Sequence, residues 1–125
     1  MNYDATRRYL LNKPETFEDF PFGPDAAVMK IANKMFALLI HGESPRVNLK
    51  CDPHEALILR DIFPAVIPGY HMNKQHWNTV ILNGSIPAGE IQRMIDNSYA
   101  LVVKKLTRAQ RQGLEIRHSK KAIYP

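Results

Sequence analysis

Cys51 is the only cysteine in the chain, so no disulfide can form within it. No apolar run approaches the length needed to cross a bilayer; the longest reaches only from Met35 to Ile40. The opening MNYDATRRYLLNK carries an early acid and no continuous apolar core, so it does not read as a secretory signal. A reducing, cytoplasmic setting without membrane attachment is the expectation. Glycine is sparse, and no Walker-type or dinucleotide-binding loop is present. Ser44, Ser85, Ser98 and Ser119 lie in turns, a helix or the tail, and none stands in a GxSxG elbow. The acids between residues 15 and 25 read as a solvated edge rather than a catalytic pair. His71 and His76 are five apart, which fits neither the helical i, i+4 pair nor the strand i, i+2 pair, and no cysteines or acids cluster around them. Neither a metal nor a cofactor is expected, and no nucleophile or general base is legible, so the expectation is a non-enzymatic protein.

What is present bounds the fold. The 125 residues suit one domain, and the 45% apolar content suits a packed core. A monomer is expected. The net charge of +5 is uneven: residues 1–103 hold ten basic and eleven acidic side chains, whereas residues 104–125 hold seven basic ones against Glu115 alone. Basicity therefore belongs to the C-terminal end, where it can attract phosphate or serve only as a solvated tail.

The apolar pattern sets an order of elements. Asp4 to Leu11 reads as a helix capped by Asp4 and ended before Pro14. Glu15 to Phe20 can be a short edge strand. Ala27 to Ala32 and Met35 to Ile40 flank Asn33-Lys34 as a hairpin, since Asn tolerates a positive φ. Arg46 to Cys51 alternates: Val47, Leu49 and Cys51 face a core, while Arg46, Asn48 and Lys50 form a basic stripe toward solvent. Asp52, Pro53 and Glu55 make a good helix start, with Ala56, Leu59, Ile62 and Phe63 facing inward and Pro64 as the stop. Residues 67–75 read as an ordered loop before a strand from Trp77 to Leu82. A long helix from about Pro87 to Leu106 buries Ile91, Ile95, Tyr99 (or Ser98), Val102 and Leu106. Gly113 predicts a break. The class is α+β, an antiparallel sheet with helices packed on one face.

The densest chemistry lies in GYHMNKQHWNTVIL, residues 69–82, which places histidine, asparagine, lysine and tyrosine just before a strand. Two readings compete. In the first, Arg46, Asn48 and Lys50 on one strand face join Lys74, His76 and Asn78 at strand alternation, with Lys104 and Lys105 as further cations, to bind DNA. Lys and Arg suit phosphates, Asn suits adenine edges, and His or Trp can stack. In the second, His71, Asn73, His76 and Trp77 line a pocket for a small molecule or a protein segment. A core position is the plainer role for Trp77, as a lone aromatic on an alternating strand usually packs.

These residues, with KMFALL and RVNLKC upstream and LNGSIP downstream, resemble the MmcQ/YjbR family of small bacterial proteins over about residues 2–112. The signature is HxNKxHW followed by TV, then a Gly-Ser-hydrophobic-Pro helix start. LEIRHSKKAIYP falls outside it, which divides the chain into a domain over 1–112 and a basic extension over 113–125. The resemblance implies a CyaY-like (frataxin-like) sandwich and DNA binding through a double-wing arrangement, carried on His71, Asn73, Lys74, His76, Trp77, Asn78 and Thr79, with no catalytic assignment. A frataxin-like shape also raises iron handling, but that depends on an acidic first helix and first strand, and here Arg7 and Arg8 accompany Asp4.

Overall fold

The computed structural model describes residues 1–69 and 72–125. Helix α1 (Tyr3–Leu11) is capped by Asn2, two residues before the expected cap at Asp4. Asn2 Oδ1 accepts from the Ala5 N–H at 2.8 Å, while Asp4 sits in the first turn, where a carboxylate meets the positive end of the helix dipole.

Strands β1 (Phe17–Asp19), β2 (Ala26–Ile31), β3 (Lys34–Ile40) and β4 (Arg46–Lys50) form a meander. The β2–β3 turn is Ala32-Asn33, because Ile31 pairs with Lys34. Both turn residues have positive φ, +48° and +65°, as a two-residue hairpin demands. The expected Asn33-Lys34 turn is thus shifted by one residue.

Pairing slips within β3: Met29 faces Ala37 but Lys30 faces Met35, leaving Phe36 as an extra residue. This bulge brings both Phe36 and Ala37 to the covered face. Phe36 stacks edge-on against Tyr99, with centroids 5.1 Å apart.

Helix α2 (Pro53–Ile62) starts as expected. Asp52 accepts from the His54 and Glu55 N–H groups, and Pro53 occupies the first turn. Ala56 and Leu59 face the core, but Ile62 is 58% exposed. One residue turns a helix by about 100°, so Phe63 continues the inner line and Ile62 swings out of it.

The expected loop over 67–75 contains a strand, β5 (Val66–Pro68), paired antiparallel with β6 (Trp77–Ile81). It is short and ends in proline, which only a sheet edge accepts, so it left little trace in the pattern. Gly69 completes the pairing by donating its N–H to the Trp77 carbonyl at 2.9 Å. A Cβ on Gly69 would stand 2.8 Å from Trp77 Cβ, so only glycine fits this approach.

The six strands run in the order β1-β2-β3-β4-β6-β5, antiparallel throughout. Helix α3 (Ala88–Val103) crosses β2, β3 and β4, α1 packs on β3, and α2 covers β5 and β6. The core lies between this helical layer and one sheet face, where Met29, Leu39, Val47, Leu49 and Val80 meet Ile91, Ile95 and Tyr99.

Gly113 does not break the chain: α4 (Arg108–Arg117) runs through it, so the boundary expected at 112/113 falls inside a helix. The following α5 (Lys120–Ile123) packs on α3, and both Leu114 and Ile123 are buried in the common core. Arg117 donates to both Glu15 oxygens at 2.6 and 3.0 Å, and Lys13 donates to the Ala122 carbonyl at 3.2 Å. No helix among the described residues is long and apolar enough to cross a membrane.

Candidate functional site

Among the described residues the helices pack on one side, which leaves the other face of the sheet without helices. Pair partners share a face, which assigns this one strand by strand. It carries Met35, Leu38 and Ile40 from β3, Arg46, Asn48 and Lys50 from β4, Ile67 from β5, and Trp77, Thr79 and Ile81 from β6. On these four strands it holds two cations and no carboxylate. Lys30 of β2 also faces this way, but its Nζ lies 3.1 Å from Asp19, which neutralises it.

The expected basic stripe divides. Arg46 and Lys50 sit at opposite ends of β4, about 13 Å apart at the rise of a strand, and both are half-buried. Asn48 between them does not reach solvent. It is 3% exposed, and its Oδ1 accepts from the Thr79 hydroxyl at 2.5 Å, with Thr79 wholly buried beside it. Leu38 stands beside Asn48 and Ile67 beside Thr79 on the flanking strands, so this polar pair lies between apolar side chains.

Asn78 departs further from expectation. Its register places it opposite Leu49, on the covered face, where it is 2% exposed. Its Oδ1 accepts from Arg60 Nε at 2.7 Å, and its Nδ2 donates to the Ala56 carbonyl at 3.4 Å. Those bonds fasten α2 to β6, and they leave no Asn78 edge for a base. The alternation that joined Lys74, His76 and Asn78 fails because β6 begins only at Trp77.

Lys74 and His76 are exposed in the turn before β6. The His76 carbonyl accepts from the Cys51 N–H at 2.7 Å, which sets this turn beside the Lys50 end of β4. Arg60, which the sequence pattern did not single out, organises the same corner. One Arg60 guanidinium nitrogen donates to the Lys74 carbonyl and, at 3.3 Å, to the Trp77 carbonyl. Because those acceptors are uncharged, Arg60 adds positive charge to the corner while holding its shape. Its sequence signal was an arginine in the last turn of α2, directly after the apolar run Ala56–Leu59.

Of the residues expected to line a pocket, His71, Asn73, His76 and Trp77, the structure describes the last three. His71 lies outside the described residues. Asn73 is exposed and its Oδ1 caps the turn by accepting from the Gln75 N–H at 2.9 Å. Trp77 is half-buried rather than a core anchor, because it stands on the helix-free face with Gly69 against its Cβ. Two cavities lined by described residues lie on this face. One of about 550 Å³ is lined by β3 and β4 residues with Phe22 and Met72, and a smaller one of about 260 Å³ lies between Ser44, Arg46, Ile67, Thr79 and Ile81. The doubly apolar strand KMFALLI was the one sequence sign of an apolar outer face.

Lys104 and Lys105 are exposed beyond α3, in the helical layer. Lys104 lines a cavity with Asp52, Glu55 and Tyr124, on the other side of the sheet from Arg46. The cations named from the sequence therefore do not form a single surface: Arg46, Lys50, Lys74 and His76 adjoin one face, and Lys104 and Lys105 belong to the opposite layer.

Cys51 is buried, and burial pushes its thiol up to about 11. Among the described residues no group of three or more His, Cys, Asp or Glu side chains converges as a metal cage. His41 instead stacks edge-on with Tyr3, centroids 4.7 Å apart.

Comparisons with known proteins agree with this architecture. Residues 11–101 match the YjbR family. The chain is 34% identical over 115 residues to the protein YjbR of Escherichia coli strain K12, covering 91% of this chain and 98% of that one. It is 36% identical over 107 residues to YbdF of Escherichia coli O157:H7, covering 85% and 88%. A crystal structure of a Deinococcus radiodurans protein with the DUF419 domain superposes with a TM-score of 0.84 at 37% identity, over 91% of this chain and 88% of that one. A Pseudomonas syringae protein gives 0.72 at 36% identity, over 81% and 98%. An antiparallel sheet with one helix-covered face, matched over most of the chain in both sequence and shape, makes this protein a member of the YjbR family.

Proposed function

We propose that the chain is a non-enzymatic DNA-binding protein that holds the phosphate backbone against its helix-free sheet face and the turn preceding β6. One observation carries the reading: on β3 to β6 that face offers Arg46 and Lys50 and no acid. Lys74, His76 and Arg60 extend the positive charge around the Lys50 end. Strand positions that carry cations and no carboxylate draw a polyanion without repelling it locally.

Contacts to phosphate fix position and carry no sequence information. With Asn48 and Asn78 both buried, neither expected amide can read an adenine edge, so binding is expected to discriminate little among sequences. Lys104 and Lys105 take no part in this surface. The same reading treats the sandwich as CyaY-like, on the support of one helical layer over a mainly sequential antiparallel sheet.

Fluorescence anisotropy of a labelled duplex at two salt concentrations tests the proposal. Each phosphate contact contributes about −0.9 to the slope of log affinity against log salt, so Lys50→Gln with Lys74→Gln should flatten it by about 2. Lys104→Gln with Lys105→Gln should leave the slope unchanged. Absence of binding at low salt, or equal effects from both pairs, would remove the sheet face from consideration.

A further inference from the structure

Helix α2 is apolar on two sides, and one of them faces water. A helix turns by about 100° per residue, so His54, Leu57, Ile58, Asp61 and Ile62, spaced as i, i+3, i+4, i+7 and i+8, share one side. Ala56 and Leu59 are buried beneath the helix and point the other way. On the outward side Leu57, Ile58 and Ile62 are 61%, 39% and 58% exposed, three large aliphatic side chains within two turns. Single exposed apolar residues need no explanation, but a contiguous stripe rimmed by polar groups marks an interaction surface. His54 and Asp61, both exposed, bound this stripe along the helix axis. The neighbouring charges are engaged elsewhere: Glu55 lies 3.3 Å from Arg93, and Arg60 turns inward to Asn78.

We infer that this stripe is a homodimer interface, in which α2 packs antiparallel against α2 of a second copy about a two-fold axis. The order of residues along it is self-complementary. With the axis passing between Leu57 and Ile58, His54 and Asp61 lie equally far from it, each about 5 Å along the helix at the rise of 1.5 Å per residue. An antiparallel partner therefore sets His54 of each copy beside Asp61 of the other, while Leu57, Ile58 and Ile62 meet around the centre. A two-fold contact uses the same patch twice, so one helix supplies both the apolar centre and two equivalent imidazole–carboxylate contacts. A parallel pair would oppose Asp61 to Asp61. A membrane is the poorer occupant, because surface-seeking helices carry Lys or Arg on their polar side and this one carries Asp52, Glu55 and Asp61. One helix from each copy is a small contact, so the dimer is a weak one that forms as concentration rises. It stands or falls independently of DNA binding.

The test is sedimentation equilibrium of the full chain without DNA, from low micromolar to near-millimolar concentration. The average mass should rise toward that of two chains. Leu57→Asp places a carboxylate that stays in water in the monomer, so the fold should persist. It should raise the dimer dissociation constant about a hundredfold, because a two-fold interface contains each substitution twice. His54→Glu sets an acid against Asp61, and Asp61→Lys removes the acceptor that His54 meets, so each alone should weaken the dimer about tenfold. The two together exchange the partners and should restore association to within about threefold of the original. Both changes suit the helix dipole, an acid in the first turn and a base in the last, so neither should disturb folding. The mass of one chain at every concentration, a dimer indifferent to Leu57→Asp, or an exchange that fails to restore association would each overturn the assignment. A monomer that floats with phosphatidylcholine–phosphatidylglycerol vesicles, and ceases to do so in Leu57→Asp, would give the stripe to a lipid surface instead.

Discussion

The Ser98 hydroxyl shows how much one small side chain can settle. It is wholly buried, donates to the Phe36 carbonyl at 2.5 Å, and accepts from the Lys50 N–H at 2.9 Å. The bulge at Phe36 removes that carbonyl from regular ladder pairing, and α3 supplies the replacement. Ser98→Ala would leave the buried Phe36 carbonyl and the part-buried Lys50 N–H without this partner, at about 1–3 kcal/mol each, so a loss of about 2–6 kcal/mol is expected by urea unfolding. A loss under about 0.5 kcal/mol, the range of an ordinary surface change, would show that water satisfies both groups. The sequence left Ser98 and Tyr99 as alternatives for the inner face of the helix. Both are buried, since a helix over a sheet buries a stripe wide enough for adjacent positions.

At the scale of elements, the last two helices were the least legible. The seven cations of residues 104–125 and a mid-segment glycine suggest a solvated end, yet Leu114 and Ile123 are fully enclosed. Both are isolated apolar residues in a charged stretch, so neither creates a visible period. Their docking is fastened electrostatically by Glu15, which lies 102 positions from Arg117 in the chain. The Glu15 carboxyl is held below its ordinary value, chiefly by the hydrogen bond from Arg117, with a further bond to His118. A carboxyl with a lowered folded-state pKa contributes fully above its unfolded value of about 4.3, and that contribution is lost as pH falls through the folded value. Hydrogen exchange at residues 114–123 should therefore speed up in acid, below about pH 4, more than exchange in β2–β4. Glu15→Gln should show faster exchange already at pH 7 and less additional change in acid. An unchanged profile in the variant would assign the docking to apolar contacts alone.

For the whole molecule, charge and shape are divided between two layers. The C-terminal cations belong to the helical side, while the face without helices has only a few cations around an apolar trough. Cutting the chain after Gln112 would therefore do more than trim charge. It would uncover the sites of Leu114 and Ile123, each worth about 1.5–3 kcal/mol of burial, so a loss of about 3–6 kcal/mol is expected. Thermal unfolding of the truncated chain checks this; a melting temperature within a degree or two of the full chain would show that the last helices only rest on the core. Charge-neutral substitutions at Lys104 and Lys105 are accordingly the sound way to separate the layers in binding experiments.

The sequence by itself determined the α+β class, the order of the main helices and strands, the start of α2 at Asp52-Pro53, and kinship with the YjbR family. Those properties follow from local periodicity, capping chemistry and a contiguous signature, all of which are written along the chain. Only the tertiary structure decided which face each polar residue of β4 and β6 occupies, because one residue of register carries a side chain through the sheet. It sheltered Asn48 against Thr79, turned Asn78 inward to meet Arg60, and set Lys104 across the sheet from Arg46. It also folded residues 113–125 onto the core through partners about a hundred positions away, a distance over which no local pattern carries information.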